Sequence, residues 1–276
     1  NPRSFIMPFT LIKGTLRPDL GRPDGDSMRF APDDPTPIFK LRRRGGAPEI
    51  NRTNGSIQLR YEGIDTMESR ALEAFSARAT AANIDAATGG AGKVPAPGYI
   101  LSTQLGPRGR PIAFVFAGDR DGETGDQIFL TPEDIEASIN FRLLAAGHAY
   151  PLFYDTLFDD LRAHMSAAAR DAEAAGAGVW AADETNAGAT WSGGVESLAP
   201  IFPKLWRRID TYVRDDGFFD PNAPFAAFKD WFASKPDERV IVPSTGAITG
   251  FDNLIETTDD TVRMTVQPRD LVVISR

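Results

Sequence analysis

The sequence has no cysteine among its 276 residues, which excludes disulfides, thiol catalysis and cysteine-based metal sites. It has only two histidines, His148 and His164, so a histidine-rich zinc centre is not expected. No apolar run approaches the roughly 18 residues that a membrane-spanning helix needs. We therefore expect no membrane partner, and any metal would depend on oxygen ligands.

Negative charge exceeds positive charge, because 38 Asp and Glu residues against 30 Lys and Arg residues give a net charge of −8. A protein that holds nucleic acid through its overall charge is usually basic, so such binding would have to use a local positive patch. One patch of basic residues comprises Lys40, Arg42, Arg43, Arg44, Arg52 and Arg60. The glycines and proline of residues 45–48 mark an exposed turn beside Arg42–Arg44, so a solvated loop explains those three equally well.

The first nine residues lack the charged and then apolar order of a secretory signal. We expect a soluble protein, either cytoplasmic or exported with its signal already removed. Its length is enough for one large domain or two smaller ones.

Short β-prone stretches and helical stretches alternate over residues 1–195. Strands are predicted at 4–16, 27–30, 57–64, 99–104 and 111–117, with an insertion at 31–56 and helices at 69–87, 131–146 and 156–175. The second helix has a clear start, since Thr131 can cap it and Pro132 suits its first position. One helix between the third and fourth of five strands predicts an α+β, mainly β, protein: a five-stranded OB-type barrel flanked by three helices.

Residues 185–194 are rich in Gly, Ser and Thr and predict a linker. We therefore divide the chain into a barrel domain at 1–195 and a small α+β domain of unknown role at 196–276. The second part has predicted helices at 202–214 and 223–233, and predicted strands at 239–243, 248–257, 261–267 and 271–275.

Acidic residues stand at the ends of two predicted strands. They belong to the motifs Asp24-Gly25-Asp26-Ser27 and Asp65-Thr66-Met67-Glu68. Carboxylates from neighbouring strands can meet at one rim of a barrel, and Ca²⁺ takes carboxylate and carbonyl oxygens at about 2.3–2.6 Å. Asp26, Asp65 and the Thr66 carbonyl are therefore candidate metal ligands. The alternative is that each aspartate is a simple turn former.

Three further residues complete a candidate catalytic set. Glu68 is placed to accept a proton from an attacking water, although a glutamate at a helix start is also favoured by the helix dipole. Arg60 and Arg110 can bind a phosphate and neutralise charge in a phosphoryl transition state. The alternative for each arginine is an ordinary surface position.

The spacing of Arg60 and Asp65 imposes a structural condition. They are separated by an odd number of positions, which in a regular strand puts their side chains on opposite faces. They can share a site only if the chain bends between them, and Gly63 is the natural place.

Taken together, the motifs resemble the staphylococcal nuclease (thermonuclease) family over about residues 10–185. That family has an Asp-Gly-Asp-Thr strand start, an arginine five residues before an Asp-Thr-Pro-Glu turn, and a Gly-Arg pair leading into an apolar strand. The corresponding segments are Asp24–Ser27, Arg60 with Asp65–Glu68, and Gly109-Arg110. Met67 replaces the usual proline, and Pro107-Arg108 replaces the Lys-Tyr that often precedes Gly-Arg.

The resemblance implies a Ca²⁺-dependent nuclease that hydrolyses DNA and RNA and leaves 3′-phosphate ends. By position, it makes Asp26, Asp65 and Thr66 the Ca²⁺ ligands, Glu68 the general base, and Arg60 and Arg110 the phosphate-binding groups. Tyr150, Phe153 and Tyr154 are candidates for base stacking, with core packing as the alternative. The alternative function is an inactive module that binds nucleic acid or a protein partner.

Overall fold

The structure is a computed structural model that describes residues 8–215, 217–236 and 238–275. Up to residue 195, its elements are β1 (Phe9–Arg17), β2 (Arg29–Pro32), α1 (Thr36–Lys40), β3 (Arg42–Arg43), β4 (Ile57–Gln58), β5 (Arg60–Tyr61), β6 (Ile64–Asp65), α2 (Glu73–Thr88), β7 (Ala96–Leu105), β8 (Pro111–Ala117), β9 (Gln127–Ile128), α3 (Pro132–Ile135), α4 (Ile139–Ala145), β10 (Tyr150–Pro151), β11 (Phe153–Tyr154), α5 (Asp159–Ala174) and β12 (Ala189–Thr190). The later elements are α6 (Pro203–Val213), α7 (Phe228–Ala233), β13 (Arg239–Val242), β14 (Ala247–Gly250), β15 (Ile255–Thr257), β16 (Thr261–Met264) and β17 (Val272–Val273). Across the described ranges, no helix is both long enough and apolar enough to cross a membrane.

The protein is α+β, with a barrel-like sheet that nearly closes on itself and several helices around it. The sheet order is β4-β2-β1-β7-β8-β5, with β3 beside β7 and β9 beside β1. The two end strands, β4 and β5, are separated in the chain only by Leu59, whose N–H donates to the Met28 carbonyl. A single short segment therefore joins both ends of the sheet, and the large apolar side chains of its strands fill the interior.

The predicted long strands of the barrel are confirmed, whereas the strand predicted at 57–64 is broken into three pieces. Residues 4–7 of the first predicted strand lie outside the described residues. The helix predicted at 69–87 begins later, at Glu73, and ends at Gly89, whose φ of 63° suits a helix C-cap. The insertion at 31–56 adds α1 and the strand β3, which pairs with β7.

The helix predicted from Thr131 starts as expected but divides into α3 and α4. Thr131 and Asp134 form a reciprocal capping box at its start. The division falls at Ser138, whose hydroxyl donates to the Ile135 carbonyl and accepts from the N–H of Phe141. A serine that bonds nearby backbone groups can end one helix and cap the next.

The linker predicted at 185–194 is wrong, because this stretch is packed against the C-terminal part. The Thr185 hydroxyl accepts from the N–H of Phe202 at 2.8 Å, and the Asn186 amide donates to the carbonyls of Met264 and Val266. The strand β12 pairs with β16, and β11 pairs in parallel with β17. Large side chains from both sides of position 195 consequently share one apolar core.

Candidate functional site

The chain bends between Arg60 and Asp65, as a shared site requires. β5 ends at Tyr61, β6 begins at Ile64, and Gly63 between them has a φ of 78°. A positive φ is readily available only to glycine among the common residues. Asp65 is then held in place by β10, which pairs with β6 opposite Tyr150. Arg60 and Asp65 line the same cleft as a result.

Gly63→Ala is expected to lower the free energy of unfolding by about 1–3 kcal/mol, because alanine is strained at this φ. Its Cβ would also lie 2.7 Å from the end of the Met165 side chain. Gly89→Ala is the matched control, since its φ of 63° carries similar strain but its Cβ would meet open space. Denaturant unfolding should show a loss in both variants. We expect the larger loss in Gly63→Ala, because only its Cβ meets another side chain, and an equal loss in Gly89→Ala would contradict the close packing at the bend.

The loop that carries Asp26 is fixed to the strand that carries Arg60. The N–H of Tyr61 donates to the Asp26 carbonyl at 3.0 Å. The buried Asn83 amide donates to the Asp24 carbonyl at 2.6 Å and accepts from the Tyr61 hydroxyl at 2.8 Å. Gly25 lets the loop approach closely, because a Cβ there would lie 2.7 Å from the Thr66 hydroxyl. Backbone packing thus sets the position of Asp26 relative to Asp65.

All the candidate metal ligands and catalytic residues from the sequence line one cleft of about 580 Å³. This volume lies in the range of small-molecule and cofactor sites. The charged side chains that line the cleft are the acids Asp24, Asp26, Glu62, Asp65 and Glu68, and the bases Arg44, Arg60, Arg108, Arg110, Lys204 and Arg207. The cleft combines an acidic group with a larger basic lining, the arrangement needed to hold a cation beside a polyanion.

Three of the predicted residues face this cleft without a charged partner in direct contact. No ion pair or side-chain hydrogen bond involves Asp26, Arg60 or Arg110 anywhere in the described part of the chain. The pKa of Asp26 is raised to about 7, mainly by burial and to a smaller extent by the negative charge of Asp65. Such groups are unpaired charges whose natural complements are a cation for the carboxylate and an anion for the guanidinium groups.

The electrostatic state of the two arginines reflects their neighbours. Burial opposes the charge of Arg60, but the charges of Asp65 and Asp26 outweigh it and raise its pKa. Burial and then the charge of Arg60 lower the pKa of Arg110. An anion bound beside Arg110 would therefore offset the positive charge of Arg60.

The raised pKa of Asp26 predicts a specific dependence of stability on pH. A carboxyl group with a folded pKa of about 7 and an unfolded pKa near 4 keeps its proton only in the folded state between these values. Its contribution to stability is therefore fully present below about pH 4 and is lost as pH rises to about 7. Without divalent cations, Asp26→Asn should raise the free energy of unfolding at pH 8 by about 2 kcal/mol. Denaturant unfolding at pH 5 and pH 8 checks this, and equal stability of the two proteins at pH 8 would contradict it.

Arg207, on α6, binds the acids of the cleft and was not predicted from the sequence. Its two terminal nitrogens donate to the two carboxylate oxygens of Asp65 at 3.1 and 2.7 Å. One of them also donates to Glu68 at 2.9 Å. Burial opposes the charge of Arg207, but Asp65 and Glu68 together raise its pKa. Glu68, the candidate general base, is consequently paired in this structure.

Glu62 is a second cleft residue that sequence analysis missed. It is only 4% exposed, and burial raises its pKa to about 7. Glu62 lies two positions after Arg60 in the strand predicted at 57–64, and the alternation of side chains along such a strand would place both on one face. That alternation is the sequence signal that could have identified it.

Only one of the three candidate stacking residues is available to a ligand. Tyr150 and Phe153 are fully buried, and the Tyr150 hydroxyl donates to Asp183 at 2.7 Å. Tyr154 is half-buried and lines the cleft. Base stacking by Tyr150 and Phe153 is therefore wrong, since both belong to the core.

The donor set is small but chemically suited to a hard cation. Within the described ranges, no three or more His, Cys, Asp or Glu side chains form a group that could hold a metal. The candidate set has two carboxylates, Asp26 and Asp65, and the Thr66 carbonyl, so water would supply the other ligands. Asp26 lacks a charged partner in contact, whereas both oxygens of Asp65 are bonded to Arg207. The residues fit Ca²⁺ if Arg207 releases Asp65.

Comparison with known proteins adds no family to these observations. No protein-family model matches the chain, and no curated protein matches it either. The functional interpretation therefore depends on the cleft itself and on the motifs that resemble the staphylococcal nuclease family.

Proposed function

We propose that this protein is a Ca²⁺-dependent nuclease that hydrolyses phosphodiester bonds of DNA and RNA and leaves 3′-phosphate ends. In this proposal, residues 10–185 form a five-stranded OB barrel of the staphylococcal nuclease type. The observation that carries the proposal is the convergence of Asp26, Arg60, Asp65 and Arg110 on one cleft, with both arginines unpaired in the described part of the chain.

Each residue of the cleft has a definite role in this reaction. Asp26, Asp65 and the Thr66 carbonyl would hold Ca²⁺, which when bound neutralises a phosphate oxygen and favours ionisation of water. Arg60 and Arg110 bind the phosphate and stabilise the negative charge of the transition state. Neither arginine forms an ion pair in the described residues, so a phosphate could bind them without displacing a carboxylate of the protein.

The proton transfer is assigned to Glu68. It accepts a proton from the attacking water, whose oxygen forms a bond to phosphorus while the bond to the 5′ oxygen breaks. The 5′ oxygen leaves with the bonding electrons and takes a proton from solvent. The products are a 3′-phosphate and a 5′-hydroxyl. Glu68 can act in this way only when it is free of Arg207.

A cleavage assay tests the proposal. Supercoiled plasmid and single-stranded RNA are incubated with the protein in Ca²⁺ and, separately, in chelator. We expect cleavage only in Ca²⁺, with large losses in Glu68→Gln and Arg60→Ala. Arg263→Ala is the control, because Arg263 pairs with Glu256 between β15 and β16, outside the cleft. Absence of Ca²⁺-dependent cleavage, or unchanged cleavage in both cleft variants, would refute the enzymatic proposal.

One observation favours a second function. Arg207 forms ion pairs with Asp65 and Glu68, and if these pairs were permanent the cleft would bind phosphate groups without hydrolysing them. The protein would then be an inactive module that binds nucleic acid. Binding of single-stranded DNA that is unchanged by Ca²⁺ and is not followed by cleavage would support this alternative.

A further inference from the structure

Arg207 makes the most complete ion pair within the cleft. Its planar fork matches the two oxygens of Asp65, and Asp65 is only 2% exposed. The same guanidinium group holds Glu68, so one arginine occupies a candidate metal ligand and the candidate general base together. These two residues lie 142 and 139 positions before Arg207 in the chain.

The helix α6 that carries Arg207 is firmly anchored. Leu205 and Ile209 are fully buried, and the Trp206 indole donates to the Val195 carbonyl at 2.9 Å. Lys204, one turn before Arg208, forms an ion pair with Glu238. The Arg207 side chain itself remains 35% exposed. Its guanidinium group can therefore leave Asp65 by changing rotamer while the helix stays in place.

A divalent cation and Arg207 cannot both bind the two carboxylate oxygens of Asp65 at the same time. A cation ligand must approach to about 2.3–2.6 Å, on oxygens that already accept two hydrogen bonds from a guanidinium group. Two positive groups at that distance also repel each other. The nearby charge of Arg60 adds to this repulsion.

We propose that Arg207 and a divalent cation are alternative partners of Asp65, so that α6 of the C-terminal part competes with the cation for the site. This inference depends on the proposed function, because it takes Asp65 as a cation ligand. When the cation binds, Arg207 leaves both acids, which frees Glu68 and adds a third guanidinium group to the phosphate side of the cleft. The C-terminal part then has a role that its sequence did not indicate.

Calcium binding to the whole chain, measured by calorimetry, tests the competition. Arg207→Gln should bind Ca²⁺ about tenfold more tightly than the unchanged protein, since no charged hydrogen bonds have to be broken. Arg207→Lys keeps the charge but loses the fork, and its affinity should lie between the two. Arg214→Gln is the matched control, because Arg214 follows the same helix and pairs with Asp210. We expect its affinity to equal that of the unchanged protein.

Thermal unfolding provides a readout that does not depend on activity. In chelator, Arg207→Gln should unfold at a lower temperature, because Asp65 is buried and would lose its partner. Saturating Ca²⁺ should raise the unfolding temperature more in Arg207→Gln than in the unchanged protein or in Arg214→Gln.

Three results would overturn the competition. If all four proteins bind Ca²⁺ with one affinity, or if Arg207→Gln binds more weakly, Arg207 does not compete, while the proposed nuclease function stands. If none of them binds Ca²⁺, the competition and the Ca²⁺-dependent function both fail.

Discussion

Arg60→Ala should lower the rate constant for cleavage of single-stranded DNA by about 10³-fold at saturating substrate. Arg60 lines the cleft together with the two acids and Arg110 and has no ion pair in the described residues, so its guanidinium group is free for the proposed phosphate. Loss of a group that stabilises transition-state charge lowers the rate more than it weakens substrate binding.

Arg43→Ala is the control for this prediction, because Arg43 belongs to the same basic stretch but lies on the exposed strand β3. The Arg43→Ala variant should change the salt dependence of DNA binding only slightly, and its cleavage rate constant should stay within about twofold of that of the unchanged protein. A rate constant for Arg60→Ala within a few-fold of the unchanged protein would remove Arg60 from the site.

Removal of residues 196–276 should abolish cooperative unfolding and not yield a stable barrel. Trp206 and Phe202 belong to the same apolar core as Tyr150 and Met67. The truncation also removes β17 and β16, the strands that pair with β11 and β12. The remaining chain would expose a large apolar surface and unpaired strand edges, which favours aggregation.

Circular dichroism and thermal unfolding of the truncated chain check this prediction. The expected result is a weak signal without a sharp transition, whereas the full chain unfolds cooperatively. A sharp transition in the truncated chain would show that the barrel is stable alone, and the shared core would then be less important than its burial indicates.

The site residues that the sequence predicted are those whose positions depend on their neighbours in the chain. Asp26 lies in the turn before β2, Asp65 ends β6 and Thr66 follows it, while Gly63 provides the bend that brings Arg60 to the same cleft. Strand ends, glycine bends and short turns are properties of neighbouring residues, so a single sequence reveals them.

The missed part of the site depends on contacts between distant segments. Arg207 follows the pattern of an ordinary arginine on an amphipathic helix, and nothing near it in the chain indicates that it reaches Asp65. The linker prediction at 185–194 failed for a related reason. Gly, Ser and Thr are typical of linkers, but Thr185 and Asn186 use their side chains to bond distant backbone groups.

The helix break at Ser138 has a different cause. Apolar side chains at positions 135, 139 and 143 have helical spacing, and all three are buried. The periodicity therefore continues across a point where the Ser138 hydroxyl replaces backbone hydrogen bonds. The spacing of apolar residues indicates which face of a helix is buried. It does not indicate a break in the helix when the apolar residues after the break continue the same spacing.

Cleavage of an end-labelled single-stranded DNA by Asp26→Asn, compared with the unchanged protein, tests the central claim most directly. The substitution removes a proposed cation ligand and a half-buried carboxylate without a charged partner in contact, so this variant should be more stable at pH 8 and yet inactive. The prediction is Ca²⁺-dependent cleavage to 3′-phosphate products by the unchanged protein and none by the variant. Equal cleavage by both proteins, or cleavage that persists in chelator, would contradict a Ca²⁺-dependent hydrolytic site in this cleft.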